Sequence, residues 1–276
     1  MRTLRILLAL LLIAVLGGAI FVASGVYNVA ATDQHTAVVY WLLKISMRQS
    51  VRRHASDVRV PELNDANRVD RGRALYQAHC VRCHGAPGVA PESFALGLRP
   101  VPSNLAHTGR EWEAADIYWT VRSGLKMTAM PAWEYRLPDA DLWSIVAYVK
   151  RMPDESPRQY ALQVKPVERF AAQSNAAESR NPGAPDAARG KKAIQQYGCV
   201  TCHDIPGETG PLTSVGPPLA NIGSRGFIAG LLANTPDNMA RWLQAPQAVH
   251  PGSAMPNLGV TPRDARDMAA YLHTLQ

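Results

Sequence analysis

The chain opens with its longest run of apolar residues. After Arg2 and Arg5 no charged residue occurs before Asp33, and residues 6–26 are almost wholly apolar. A helix over residues 6–26 would span about 32 Å, which is close to the hydrocarbon thickness of one bilayer. We predict a transmembrane anchor within residues 1–30, with the arginines cytoplasmic and the rest of the chain translocated. A cleaved signal peptide is the alternative reading of the same residues.

A second, shorter helix is predicted over residues 36–54. Its apolar residues and aromatic rings cluster toward one end, and its arginines toward the other. Residues 31–66 are therefore interpreted as a membrane-proximal amphipathic segment. Two interpretations stay open for this helix, namely contact with the lipid surface and docking against a membrane partner subunit.

The remaining chain contains two stretches with the same layout, residues 67–153 and 186–276. Each is predicted to begin with a helix, to continue through a loop rich in Gly and Pro, and to end with an amphipathic helix. The closing helices are expected from about residue 139 and over residues 261–275. Little of the sequence alternates as a strand would, so the predicted fold class is all-α with an internal duplication.

Residues 154–185 separate the two stretches and are rich in Pro, Ala, Ser, Glu and Gln. We interpret them as a linker, partly ordered where it meets the first stretch. Such a segment could let the second stretch pivot, or it could lie packed along both. We refer to residues 67–153 and 186–276 as the first and second domains.

The formal net charge is +7. Most of the basic excess lies in residues 1–60, next to the predicted membrane segment, and the two domains are nearly balanced. This distribution argues against nucleic acid as a partner.

All four cysteines belong to the pattern Cys-x-x-Cys-His, which occurs at residues 80–84 and 199–203. Two thiols at this spacing can form thioethers with the vinyl groups of one haem, and the adjacent histidine then ligates the iron. A zinc site would need four ligands near one another, and a redox dithiol would not need the histidine. A disulfide would close a loop too tight to stabilise much. The pattern therefore predicts two covalently attached haem c groups. The residues assigned to them are Cys80, Cys83, His84, Cys199, Cys202 and His203.

The sixth ligand of each iron is expected to be a methionine. Met130 and Met255 are each followed by proline, and each lies between a haem motif and a closing helix. A methionine thioether raises the reduction potential of haem iron and suits outer-sphere electron transfer. Met127 is an alternative to Met130. His107 and His250 are the competing histidines.

Both domains resemble class I cytochromes c. Residues 216–219 of the second domain, Gly-Pro-Pro-Leu, are similar to the family's Gly-Pro-x-Leu turn. The resemblance implies that the Pro217 carbonyl accepts the Nδ1–H of His203. It also implies that Arg225 lies near a haem propionate and that Trp242 packs beside the haem.

The first domain resembles the family less closely. Pro102 is the candidate for the carbonyl that orients His84, and Pro100 competes with it. The runs 130–133 and 141–143 are similar to a variant of the fold found in many membrane-bound bacterial cytochromes. The whole layout of an anchor and two such domains resembles dihaem cytochrome subunits of respiratory complexes, especially those serving haem–copper oxidases.

This resemblance implies an electron-transfer protein rather than an enzyme. It would be a single-pass protein of the cytoplasmic membrane with periplasmic haem domains. It would pass single electrons from a quinol-oxidising complex or a small cytochrome toward a terminal oxidase. The alternative is a dihaem redox enzyme, of the peroxidase or thiosulfate-oxidising type, with an open or displaceable haem ligand.

Overall fold

The computed structural model describes residues 2–164, 183–210 and 215–276. Helices dominate these residues, which confirms the all-α prediction. A two-stranded antiparallel ribbon pairs β1 (Phe227–Ile228) with β2 (Leu232–Ala233). The described helices are α1 (Arg2–Ser24), α2 (Ala37–Ala55), α3 (Ala66–His79), α4 (Val81–His84), α5 (Ser93–Leu96), α6 (Leu105–Glu111), α7 (Ala114–Ser123), α8 (Asp139–Arg151), α9 (Pro157–Gln163), α10 (Ala187–Gln196), α11 (Pro236–Gln244), α12 (Pro246–Val249) and α13 (Pro262–Leu272).

The first compact unit comprises residues 1–33 and contains α1. Among the described helices, α1 alone is long and apolar enough to cross a membrane, and none of its residues is buried. The helix has 23 residues and is thus about 35 Å long. It is followed by Gly25, whose φ of 61° is the left-handed conformation that commonly ends a helix.

The second compact unit comprises residues 34–276 and contains both domains. In the first domain α3 packs against α8. The two backbones meet at Gly72, where a Cβ atom would lie 1.8 Å from the carbonyl oxygen of Ser144. Tyr76, one turn further along α3, is fully buried, and its hydroxyl donates to the Gly85 carbonyl at 2.6 Å. Tyr76 on α3 thus also fixes the start of the loop that follows the first haem motif.

The second domain repeats this crossing with α10 and α13. A Cβ atom on Gly190 would lie 1.9 Å from the carbonyl oxygen of Asp267. Thr261 caps α13 by accepting a hydrogen bond from the backbone N–H of Asp264 at 3.2 Å. The same close approach in both domains agrees with the predicted internal duplication.

Helix α2 packs on the first domain through its C-terminal half. Val51 and Ala55 are buried there, His54 stacks on Trp119, and the Arg48 guanidinium lies 4.1 Å from the centre of the Trp112 ring. The N-terminal half keeps large apolar side chains exposed. These are Val38, Trp41, Leu42, Leu43 and Ile45. Contact of this exposed half with lipid or with a membrane partner stays a prediction.

The predicted linker begins as an ordered part of the first domain. Ser156 and Gln159 form a capping box at the start of α9, and Tyr160 is buried in the first core. Periodicity did not reveal this helix because it is only 7 residues long. Residues 165–182 of the predicted linker lie outside the described residues.

We predict that Gly72→Ala and Gly190→Ala each destabilise the chain by about 2–3 kcal/mol or more, since the added methyl group would overlap backbone atoms and force the helices apart. Denaturant unfolding of the haem-loaded protein, followed by far-ultraviolet circular dichroism, measures the loss.

Gly97→Ala is the matched control for both substitutions. A Cβ atom on Gly97 would lie 3.6 Å from the Phe94 carbonyl oxygen, which is an ordinary van der Waals contact, and the φ of −79° at Gly97 suits any residue. The control should retain full stability. Unchanged stability in both Gly72→Ala and Gly190→Ala would show that the helices do not cross this closely.

Candidate haem sites

The first haem motif lies on one turn at the end of α3. Cys80 is the C-terminal cap of α3, and its carbonyl accepts the backbone N–H groups of Cys83 at 3.1 Å and His84 at 3.0 Å. Cys80 is buried and Cys83 half-buried, and both thiols are free. The two sulfurs and the imidazole are thus carried by one short, hydrogen-bonded segment.

The second motif follows α10 in the same manner. Gly198 leaves the helix with a left-handed φ of 67°, and Cys199 begins a short 3₁₀ turn. The Cys199 carbonyl accepts the backbone N–H groups of Cys202 at 3.2 Å and of His203 at 3.0 Å. Both cysteines are free thiols here as well.

Burial controls the acid–base state of these side chains. It raises the pKa of Cys80 and of Cys199 to about 12 and lowers the pKa of His84 and His203. The histidines are therefore neutral at neutral pH, which is the form that can ligate iron.

His84 is held by the backbone of the loop that follows it. Its Nδ1–H donates to the Ser103 carbonyl at 2.8 Å, which leaves Nε2 with its lone pair. The prediction of Pro102, with Pro100 as competitor, was therefore wrong. A proline marks the loop, but any residue's carbonyl can accept this bond, so the proline did not determine which carbonyl faces the ring.

His203 donates through Nδ1 to the Pro217 carbonyl at 2.8 Å, the contact that the resemblance implied. The preceding residue, Gly216, lies directly against the imidazole, since a Cβ atom there would be 2.5 Å from its Cε1. The Gly216 N–H also donates to the Cys202 carbonyl at 2.8 Å. The turn therefore needs glycine at this position to support the ring.

Arg225 supports the same turn through hydrogen bonds to its backbone. Its Nη2 donates to the carbonyls of Pro218 at 2.6 Å and Ala220 at 2.9 Å. Trp242 is half-buried against the second core, beside which Met255 also packs. The propionate contact of Arg225 and the haem contact of Trp242 stay predictions.

Met130 and Met255 occupy equivalent positions in the two domains. Each is half-buried against the core of its own domain. The Met130 N–H donates to Thr128 Oγ1 at 3.0 Å, and the Met255 N–H donates to Ser253 Oγ at 3.1 Å. Our sequence analysis missed this shared turn, although a hydroxyl residue two positions before each Met-Pro pair was visible in the sequence.

The other ligand candidates are placed differently. Met127 is 93% exposed. His250 is exposed at the end of α12, with Nδ1 3.2 Å from the Pro251 carbonyl. His107 is half-buried on α6, where burial lowers its pKa.

The residues of both sites fit haem c. Each domain offers two free thiols, an imidazole whose Nδ1–H donates to a carbonyl, and a half-buried methionine on a hydrogen-bonded turn. The absence of a side chain at Gly216 leaves room for the second imidazole.

Two protein families match parts of the chain. Residues 67–149 match the family described as cytochrome c oxidase, cbb3-type, subunit III, and residues 187–276 match the cytochrome c family. No solved structure is significantly similar to the chain.

Several curated relatives are oxidase subunits. The chain is 34% identical to cytochrome c oxidase subunit 2 of Alkalihalophilus pseudofirmus over 101 residues, which are 36% of this chain and 29% of the relative. It is 32% identical to the cbb3-type cytochrome c oxidase subunit CcoP of Azospirillum brasilense over 91 residues, 32% of this chain and 30% of the relative. It is 28% identical to CcoP of Helicobacter pylori over 142 residues, 51% of this chain and 39% of the relative.

The chain thus spans between 29% and 39% of the length of these relatives. The apolar helix α1 and the likeness to CcoP indicate a membrane-anchored protein. Residues 67–149 and 187–276 are two tandem cytochrome c domains, and they follow an N-terminal apolar helix.

Proposed function

We propose that this chain carries two covalently attached haem c groups and transfers single electrons within a respiratory oxidase complex. One observation carries the proposal. Each domain supplies its own complete set of two thiols, one oriented imidazole and one half-buried methionine. A haem bound to such a set supplies one-electron redox chemistry at its iron.

Each domain is proposed to bind one haem through its own residues. Cys80 and Cys83 attach the first haem, and Cys199 and Cys202 the second. The proximal ligands are His84 and His203, and the distal ligands are Met130 and Met255. Pro217 orients His203, Arg225 supports the same turn and lies near a haem propionate, and Trp242 packs beside the second haem.

Met130 is preferred over Met127 on two grounds. The Met127 side chain is 93% exposed, whereas Met130 packs against the first core. The Met130 backbone is also fixed on both sides, since its carbonyl accepts the Leu125 N–H at 3.2 Å and its N–H donates to Thr128.

The proposed partners follow from the relatives and from the anchor. Subunits named for cytochrome c oxidases are similar to this chain, so a terminal oxidase is the proposed acceptor. A quinol-oxidising complex or a small cytochrome is the proposed donor. Arg2 and Arg5 lie in the first turns of α1, and the preference for positive charge on the cytoplasmic side supports haem domains on the periplasmic side of the cytoplasmic membrane.

The alternative of a dihaem peroxidase or thiosulfate-oxidising enzyme is not favoured. Such an enzyme needs an open iron or a displaceable ligand. All four cysteines belong to the two haem motifs, so none is left to serve as a displaceable ligand. Each domain also has a methionine that packs against its core and can serve as the sixth ligand.

We predict that Met130→Leu and Met255→Leu each abolish the methionine–iron charge-transfer band of one haem, because leucine keeps the packing volume but has no donor sulfur. The weak far-red absorption of the ferric full-length protein, quantified per haem, measures this loss. Reduced protein should then bind carbon monoxide at the altered site.

Met127→Leu is the matched control and should leave the band of both haems intact. If Met127→Leu removes one haem's share of the band and Met130→Leu does not, the distal ligand of the first domain is Met127. Wild-type protein that lacks the band, and binds carbon monoxide readily when reduced, would contradict the electron-transfer proposal and favour the enzyme.

We predict that Gly216→Ala converts the second haem from low-spin to a mixture containing high-spin iron, because the added methyl group displaces the His203 ring. Ferric absorption spectra report the spin state. The control is Gly226→Ala, since among the described residues no atom beyond its immediate chain neighbours lies within 4 Å of the Cβ position there. An unchanged spectrum in Gly216→Ala protein would contradict the role of His203 as proximal ligand.

A further inference from the structure

The two cytochrome c domains contact one another through their haem-binding segments. We call residues 96–104, which comprise the last residue of α5 and the segment that joins it to α6, the proximal loop of the first domain. The side chains of Leu96 and Val101 pack against Gly198 of the second domain, at 3.4 Å and 3.3 Å from its Cβ position. Arg99 donates through Nη2 to the Gln195 carbonyl at 3.0 Å. The proximal loop therefore lies on the residues that introduce the second haem motif.

Asn104 makes the most specific of these contacts. Its Nδ2 lies 3.2 Å from the Cys202 sulfur, while its Oδ1 accepts the Ala106 N–H at 3.0 Å and caps α6. The residue before it, Ser103, holds His84. A continuous chain of covalent and hydrogen bonds thus runs from the imidazole of the first site to an attachment sulfur of the second.

Further contacts hold the domains in this arrangement. Gln247 of the second domain donates through Nε2 to the Gly88 carbonyl of the first at 2.9 Å. On the membrane-proximal segment, Gln34 Oε1 accepts bonds from Gln195 Nε2 at 3.1 Å and from both the N–H and the hydroxyl of Thr209 at 2.8 Å. That segment continues into α2, which packs on the first domain. The second domain therefore contacts the first domain and the membrane-proximal segment at several separate positions.

We propose that Asn104 of the first domain is a positioning residue for the haem site of the second, and that the two domains form one fixed unit. This inference rests on the proposed function. It replaces the expectation that the second domain could pivot, which the sequence had left open.

The chemistry of the contact supports a role in tuning the second site. After haem attachment Cys202 is a thioether, whose sulfur keeps lone pairs and remains a weak acceptor. The amide N–H of Asn104 directed at this sulfur places a partial positive charge beside the thioether that joins Cys202 to the haem macrocycle. Such hydrogen bonding stabilises the form that carries the additional electron, so it raises the reduction potential of the second haem.

The test compares Asn104→Ser with wild-type full-length, haem-loaded protein. Serine is as good an N-cap as asparagine, so α6 keeps its cap, but it lacks the amide donor that reaches Cys202. We expect the midpoint potential of the second haem to fall while that of the first stays unchanged. Optical redox titration measures both potentials. The second haem is identified as the one whose potential changes in Met255→Leu protein.

Asn64→Ser is the matched control, since Asn64 is an exposed asparagine of the segment before α3. It should leave both potentials unchanged. An unchanged second potential in Asn104→Ser protein, or an equal fall in both potentials, would overturn the role of Asn104. Because the potentials are measured without any redox partner, this failure is distinct from a failure to exchange electrons with an oxidase.

Scanning calorimetry tests the fixed unit independently. Wild-type protein should unfold both haem domains in one coupled transition. The variant Arg99→Ala/Asn104→Ser/Gln247→Ala, which lacks three of the interdomain contacts, should show two separated transitions. Two transitions already present in wild-type protein would contradict a fixed unit.

Discussion

Two backbone-to-backbone helix crossings, at Gly72 and at Gly190, determine where both haem motifs lie. With no side chain at the crossing, each opening helix approaches its closing helix until the Cβ position would overlap a carbonyl oxygen. The C-terminal end of each opening helix is thereby held against the core, and the Cys-x-x-Cys-His segment follows at once. The histidine then reaches the carbonyl of a later loop, either that of Ser103 or that of Pro217.

The two domains differ in the length of the loop behind the histidine. The accepting carbonyl comes 19 residues after His84 but 14 residues after His203. The longer loop of the first domain includes α5 and provides the contacts with Gly198 and Cys202. The first domain, which resembles class I cytochromes c less closely, thus has in this loop a surface that contacts the second domain.

Local patterns predicted most of the fold, because helices and haem motifs are encoded by residues close in sequence. The closing helix at Asp139 was found in this way, and the turn at Pro217 through the resemblance to class I cytochromes c. The acceptor for His84 was misplaced because a proline marks a loop without specifying which carbonyl faces the ring. The bond between Asn104 and Cys202 joins residues far apart in sequence, so no periodicity or motif could reveal it.

The central claim is that each of the two domains holds its own covalently attached haem. Mass spectrometry of the intact protein, denatured to remove any ligand that is not covalently bound, tests it most directly. We expect the mass of the mature chain plus two haem groups, with one haem on a peptide containing Cys80 and Cys83 and the other on a peptide containing Cys199 and Cys202. A mass corresponding to one haem or to none, in protein matured with functional haem-attachment machinery, would contradict the account.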